Sequence, residues 1–165
     1  MLKRKSVRRF AECSVTESQL STLLKVAMAA PSAKNAQPWH FVVIEDRNVL
    51  DRLSEQLPYA KMLTSAALAI VVCGDTQVHT GESAQNWIMD CSAATQNLLL
   101  VAESMGLGAV WTAAYPYPDR IEAVRTALLL PPEIMPLNVI PIGAPFGNER
   151  PLDKWKPERI HREKW

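Results

Sequence analysis

The run of eight consecutive apolar residues from Ala66 to Cys73 constrains the fold more than any other part of the chain. It is short for a helix, and its β-branched residues favour a strand over 67–73. A strand that is apolar at every position has no face suited to water, so both of its faces must be covered. The run therefore predicts a β-sheet that lies between layers of helices.

Helical and strand patterns alternate along the rest of the chain. Thr16 and Gln19 have the spacing of a capping box, and Pro31 ends the helix that follows. Further helices are predicted over 47–57, 83–105 and 118–129, and strands over 39–44, 67–73, 107–114 and 137–142. Pro141 lacks the N–H of a ladder bond, which predicts an edge position for the last strand. Residues 1–165 show no repeat or linker and are expected to form one domain of the α/β or α+β class.

The last twenty residues, Phe146 to Trp165, have no helical period. They contain Trp155 and Trp165 but too few other apolar residues for a core of their own. Large apolar side chains on a protein surface usually mark a contact. The tail is therefore predicted to be extended and to lie against a second subunit.

Positive charge is concentrated at the two ends of the chain. The first ten residues hold five basic residues and no acid, and the last twenty hold six basic and four acidic residues. Since the whole chain has a net charge of +1, the segment between these ends carries −6. Two positive ends on an acidic body favour one small anion where they meet, rather than a nucleic acid.

The basic stretch Arg4-Lys5-Ser6-Val7-Arg8 suits a phosphate if it is extended. In that conformation Arg4, Ser6 and Arg8 project on one side, with two guanidinium groups beside one hydroxyl. Guanidinium groups bind phosphate oxygens with paired hydrogen bonds. Taken by itself, the stretch is more typical of a solvated basic end or a non-specific nucleic-acid patch.

Two other segments contain residues that would suit a ligand-binding site. The stretch from Pro31 to Trp39 is a polar loop between two prolines, and from Gly106 to Tyr115 small residues follow a long helix. The first suits a planar polar ligand, although it equally fits an ordinary helix-to-strand turn. The second lacks the third glycine of a dinucleotide fingerprint and precedes a strand, so by itself it indicates a helix cap feeding a strand.

No acid–base or nucleophile motif is present. His40, His79 and His161 are isolated in the sequence, and there is no phosphate-binding loop, zinc-protease helix or nucleophile elbow. The three cysteines form no C-x-x-C pair, so neither a metal site nor a disulfide framework is expected. Difficult chemistry would therefore require a cofactor.

Membrane insertion and export are not expected. The longest apolar run is far shorter than the roughly 20 residues that cross a bilayer, and the first residues are basic rather than apolar. Cysteines among apolar neighbours fit reduced thiols. These features predict a cytoplasmic location.

Taken in order, the motifs resemble the nitroreductase family of FMN-dependent oxidoreductases, in its short form. The resemblance covers essentially the whole chain and also includes 90–100, with Gln96-Asn97-Leu98-Leu99, and Pro141-Ile142-Gly143. It implies an α+β three-layer sandwich with a small, mostly antiparallel sheet flanked by helices. It further implies an obligate homodimer with FMN in each of two sites at the interface and a tail that wraps the partner subunit.

The resemblance also implies site residues. The N-terminal segment matches the part that contacts the phosphate, ribityl chain and pyrimidine side of the flavin, namely Arg4, Lys5, Ser6 and Arg8. The polar loop matches the part that the other subunit lends to the same site, namely Pro31, Ser32, Ala33 and Asn35. Lys61 matches a lysine aimed at the pyrimidine edge.

Two further segments complete the implied site. One covers the flavin and comprises Trp111, Thr112, Ala113 and Ala114, with the backbone N–H of Ala113 near the nitrogen that takes the hydride. Arg150 and Lys154 resemble the tail bases that complete the phosphate site. No side chain is implied as a catalytic acid, because the flavin carries the chemistry.

The implied activity is the transfer of two electrons from NADH or NADPH through FMN to a nitroaromatic, a quinone or a similar acceptor. An alternative is a flavin-binding or flavin-handling protein without efficient nitroreductase turnover, and a nucleic-acid-associated protein is a third. The short loop over 74–83 replaces a helical excursion of longer members, which implies a more open substrate pocket. Ala114 stands where glycine is common, which implies a tighter approach to the flavin.

Overall fold

The computed structural model describes residues 1–165 in full, and its centre is an antiparallel β-sheet. The chain runs through six strands and four α-helices. The strands are β1 (Phe10–Ala11), β2 (Trp39–Ile44), β3 (Leu68–Asp75), β4 (Gly108–Ala109), β5 (Thr112–Ala113) and β6 (Ile134–Pro145). The helices are α1 (Glu17–Met28), α2 (Arg47–Gln56), α3 (Asn86–Ser104) and α4 (Pro118–Leu128).

The sheet separates two hydrophobic cores. Alternate residues of β3 enter different cores, because successive side chains of a strand point to opposite faces. Ile70 and Val72 join the first core with α1 and α3, whereas Val71 and Cys73 join the second core with α2. The prediction of a strand covered on both faces, and the α+β three-layer class, are confirmed.

Side-chain caps mark the starts of α1 and α2, and the capping box predicted from Thr16 and Gln19 is confirmed. Thr16 caps α1, with its hydroxyl accepting from the Gln19 N–H at 3.2 Å and the Gln19 side chain accepting from the Thr16 N–H at 2.9 Å. Asp46 caps α2 by accepting from the Asn48 N–H. None of the helices combines the length and the apolar character needed to span a bilayer.

The prediction of an edge position for Pro141 is wrong. Its strand, β6, is longer than predicted and lies in the middle of the sheet, with β3 on one side and β1, β4 and β5 on the other. The Val139 carbonyl accepts from the side-chain hydroxyl of Thr112 in β5, so it faces that strand, and the backbone of Pro141, two residues on, faces the same side. There it meets the gap between β4 and β5, where no ladder bond is needed. Because Pro141 has no N–H to donate at this point, the single strand predicted over 107–114 is divided into β4 and β5.

The tail adds nothing to either core. Residues 150–165 are exposed and form only a short 3₁₀ turn, Pro157–Arg159. Trp155 is 71% exposed and Trp165 is fully exposed. This agrees with the prediction of an extended segment without its own core.

Candidate functional site

After a turn at residues 1–4, the N-terminal segment continues without helix or turn to β1 and is anchored by Val7. This side chain is fully buried in a small cluster with Phe10, Met62, Ala66 and Val110. The Val7 N–H also donates to the Ala109 carbonyl of β4 at 3.1 Å. Since alternate residues of an extended segment point to opposite sides, Arg4, Ser6 and Arg8 are directed away from this anchor.

The basic residues from both ends of the chain meet at one cavity of about 340 Å³. Its lining comes from the N-terminal segment and the start of the tail, namely Arg4, Lys5, Ser6, Arg8, Glu149, Arg150, Leu152 and Lys154. We call it the basic cavity. The structure thus brings together six of the residues that the sequence predicts for the site, from segments about 140 positions apart.

Four cations of the basic cavity are free to bind an anion. Lys5 is paired with Glu103 at 3.3 Å, whereas Arg4, Arg8, Arg150 and Lys154 form no ion pair within the protomer. Unpaired guanidinium and ammonium groups around one cavity are the donor set that binds a phosphate dianion.

Glu149 is a member of the basic cavity that the sequence did not reveal. Its Oε1 accepts from Arg9 at 3.4 Å, and its Oε2 is buried without a hydrogen-bond partner. An ionised carboxylate only accepts hydrogen bonds, so Oε2 is available for a hydroxyl donor. The charge pattern of the tail gave no means of distinguishing this acid from the other three.

A second cavity, of about 130 Å³, lies against the edge formed by β4 and β5. It is lined by Arg8, Pro58, Tyr59, Val110, Trp111, Thr112, Ala113 and Arg120. We call it the strand-edge cavity. Arg8 lines both cavities, so they adjoin.

The backbone of Ala113 faces this open edge. The N–H of the next residue, Ala114, donates to the Leu137 carbonyl of β6. Because neighbouring residues of a strand direct their N–H groups to opposite sides, the Ala113 N–H points away from β6. The Ala114 side chain is buried in the second core and does not narrow this edge.

Arg120 is a second residue that sequence reasoning missed. Its guanidinium lies 3.8 Å from the Tyr117 ring centroid, Nη1 donates to the Ala113 carbonyl at 3.4 Å, and Nε is buried without a partner. A signal was present, because Arg120 lies in the first turn of α4, where the helix dipole disfavours cations. A base in that position indicates a role outside the helix.

The proline-bounded loop, residues 31–38, lies apart from both cavities. None of Pro31, Ser32, Ala33 and Asn35 lines either one. Ser32 Oγ accepts from the Gln37 N–H at 2.9 Å, and the Gln37 side chain donates to Asn35 Oδ1 at 3.0 Å. Within one protomer, this loop and the basic cavity therefore do not form one site.

Lys61, exposed in the turn Lys61–Thr64, also lines neither cavity.

His79 is not isolated, contrary to the expectation from the sequence. It is 6% exposed, and its Nε2 lies 3.0 Å from Oδ2 of Asp90 in α3. Since the partners are eleven positions apart, on a loop and a helix, no sequence motif connects them.

The three thiols differ in burial, which predicts a difference in reactivity. Burial raises the pKa of Cys73 and of Cys91 to about 12, and the thiolate rather than the thiol is the nucleophile. We expect only Cys13 to react with a thiol reagent at pH 8 in the native protein, with all three reacting after unfolding. Counting modified cysteines by mass spectrometry tests this. Rapid modification of Cys73 or Cys91 under native conditions would contradict the packing described.

Comparison with known proteins identifies the family. The model of the Nitroreductase family matches residues 1–58 and 54–144. A protein from Methanothermobacter thermautotrophicus, provisionally named an NADH dehydrogenase/NAD(P)H nitroreductase, is 42% identical over 162 residues, which are 98% of this chain and 84% of the relative.

Solved structures agree with this match. A crystal structure from Parabacteroides distasonis, which carries the same provisional name, has a TM-score of 0.94 and 53% identity, covering 99% of this chain and 95% of that one. A nitroreductase-family structure from Desulfovibrio desulfuricans, crystallised in complex with FMN, has a TM-score of 0.83 and 27% identity, covering 99% and 94%. The chain belongs to the nitroreductase family.

Proposed function

We propose that this protein is an NAD(P)H-dependent FMN oxidoreductase, which passes two electrons from NADH or NADPH through bound FMN to a small electron acceptor. The observation that carries the proposal is the basic cavity, where four unpaired cations adjoin an open strand edge. We further propose a nitroaromatic, a quinone or a similar molecule as the acceptor.

The residues present fit FMN. Its phosphate carries about two negative charges and matches the unpaired Arg4, Arg8, Arg150 and Lys154. Ser6 adds a hydroxyl to the same lining, and Glu149 Oε2 offers an acceptor for a ribityl hydroxyl. The flat ring system requires a wall without bulky side chains, which the segment from Thr112 to Ala113 supplies beside Trp111.

When bound, FMN accepts a hydride from the nicotinamide donor and passes two electrons to the acceptor. The chain supplies binding, orientation and charge. Arg8, which lines both cavities, places positive charge beside the strand edge and favours a negatively charged ligand there. The outward N–H of Ala113 is a hydrogen-bond donor at the same edge, suited to the flavin nitrogen that takes the hydride.

We propose a homodimer in which each subunit lends residues to the other's flavin site. The proline-bounded loop, with Pro31, Ser32, Ala33 and Asn35, would reach the basic cavity of the partner subunit, because it lines neither cavity of its own. Lys61 is proposed to face the pyrimidine edge. The exposed apolar side chains of the tail need a surface to cover them, and the partner subunit supplies one.

We also propose that residues 1–165 form a single FMN-binding domain and that it works in the cytoplasm. The first core draws on residues from Leu20 to Ile142 and the second on residues from Ile44 to Val139, which supports one folding unit. The three free cysteines suit a reducing compartment.

Absorbance spectroscopy tests the proposed function. The purified protein, saturated with FMN and freed of excess flavin, is expected to be yellow and to lose its visible flavin absorbance when NADH or NADPH is added without oxygen. Subsequent addition of a quinone or nitroaromatic should restore the absorbance. Failure to retain FMN would contradict the proposal. Retention of FMN without reduction by either nucleotide would favour a flavin-handling protein instead.

A further inference from the structure

A buried pair of titratable side chains, His79 and Asp90, has no part in the proposed flavin chemistry. Both residues are 6% exposed. The Asp90 carboxylate accepts from His79 Nε2 at 3.0 Å through Oδ2, and from the backbone N–H of Ala33 at 3.0 Å through Oδ1. The pair therefore connects the loop after β3, helix α3 and the proline-bounded loop.

The proline-bounded loop has a backbone that needs such support. Lys34, Asn35 and Gln37 have φ angles of 55°, 54° and 50°. Residues other than glycine rarely adopt this left-handed conformation. Three such residues within four positions persist only where the surroundings determine the backbone conformation. Two backbone N–H groups of the loop donate to side chains, that of Ala33 to Asp90 and that of Gln37 to Ser32 Oγ, and only Asp90 lies outside the loop.

We infer that Asp90, itself oriented by His79, is a positioning residue that holds the proline-bounded loop in the shape required by the flavin site of the partner subunit. This inference rests on the proposed function, in which that loop is lent across the dimer. A loop already held in its binding conformation loses less entropy when the ligand binds, so its pre-organisation increases affinity.

The chemistry of the pair fits this role. A buried carboxylate is costly unless donors satisfy its oxygens. Asp90 has one donor on each oxygen, and the one on Oδ2 belongs to a side chain that is itself buried. With Oδ2 bound to His79, Oδ1 has a fixed direction toward Ala33. A free carboxylate would rotate among other donors or water.

Three variants separate positioning from general stability. Asp90→Ala removes both contacts, whereas Asp90→Asn keeps an acceptor for the Ala33 N–H. Leu50→Ala is the matched control, because Leu50 is 1% exposed in the second core, which includes no residue of the loop or of α3. Each variant is compared with the wild type by hydrogen exchange of residues 31–37 without flavin, and by the dissociation constant for FMN.

Asp90→Ala is expected to speed exchange in the loop by about 10-fold or more, since a supporting hydrogen bond of the local structure is lost. Its dissociation constant for FMN should rise by a similar factor, because the loop must then be ordered on binding. Asp90→Asn should restore both quantities to within about threefold of the wild type, and Leu50→Ala should leave both unchanged.

The double variant His79→Ala/Asp90→Ala adds a test of the coupling. Its loss of affinity should be close to that of Asp90→Ala alone, because His79 acts through Asp90.

Two results would overturn the inference while the proposed function stands. One is wild-type loop exchange and FMN affinity in Asp90→Ala. The other is an equal loss of affinity in Leu50→Ala and Asp90→Ala, which would indicate a general effect of stability. If the wild type itself binds no FMN, the proposed function fails, while the hydrogen-exchange comparison still decides whether Asp90 holds the loop.

Discussion

Replacing Arg4 by alanine is expected to weaken FMN binding by about 10- to 100-fold, since a charge-assisted hydrogen bond contributes about 1.5 to 3 kcal/mol. Arg4 is half-buried, lines the basic cavity and has no acidic partner, so its charge is available to the phosphate. Titration of the flavin's fluorescence with the apoprotein measures the dissociation constant.

Two controls show whether the lost contact is to the phosphate. Lys3→Ala removes a neighbouring charge that is exposed and does not line the cavity, and should change the affinity less than about twofold. Riboflavin lacks the phosphate, so its affinity should be nearly the same for Arg4→Ala and the wild type. Equal losses for FMN and riboflavin would contradict the assignment of Arg4 to the phosphate.

Gly108→Ala is expected to destabilise the protein by about 3 kcal/mol, at the upper end of the usual cost of overpacking. A Cβ at this position would lie 2.7 Å from Cγ1 and 2.8 Å from Cβ of Val7, which has no space to move because it is fully buried. Displacement of Val7 would also shift the segment that carries Arg4 and Arg8. We therefore expect weaker FMN binding in the same variant.

Gly106→Ala is the matched comparison for Gly108→Ala. Gly106 has a φ of 74°, but no heavy atom lies within 4 Å of the position that a Cβ would take. Its cost should be only that of placing a side chain on a left-handed backbone, about 1 to 2 kcal/mol. Urea unfolding of both variants measures the two losses. If Gly108→Ala is no less stable than Gly106→Ala, Val7 does not pack against β4 as described.

The layered fold was predictable because local patterns sufficed for it. The uniformly apolar stretch of β3 required cover on both faces, and the capping box at Thr16 marked the start of α1. The meeting of the two basic ends was also predictable in outline, since charge of one sign at both termini suits one anion.

The position of β6 was not predictable from Pro141. The usual rule holds because a central strand needs its N–H groups on both sides. Here Pro141 interrupts the ladder at one point only: β6 keeps its pairing with β3 on one side, and on the other the neighbouring strand continues in the same register as β4 and β5.

The residues missed by sequence reasoning owe their roles to contacts between distant segments. His79 and Asp90 lie on a loop and a helix, and Asp90 reaches Ala33, which is 57 positions away. Glu149 stands among other charged residues, and only its buried, unpartnered Oε2 distinguishes it, whereas Arg120 also had a signal in its position in the first turn of α4. A single sequence carries no information about such pairings unless a motif links them.

A mixed dimer tests whether one subunit's basic cavity and the other subunit's proline-bounded loop enclose the same FMN. Arg4→Glu damages the cavity, and Ser32→Glu damages the loop. Differently tagged chains carrying one variant each are combined, and the heterodimer is isolated. It contains one site in which both contributing segments are intact.

Neither parent homodimer is expected to bind FMN tightly, while the heterodimer should bind one FMN per dimer with the affinity of the wild type. If both segments served a site within the same chain, every site in the heterodimer would carry one defect. A heterodimer that binds no more FMN than its parents would therefore contradict the shared site.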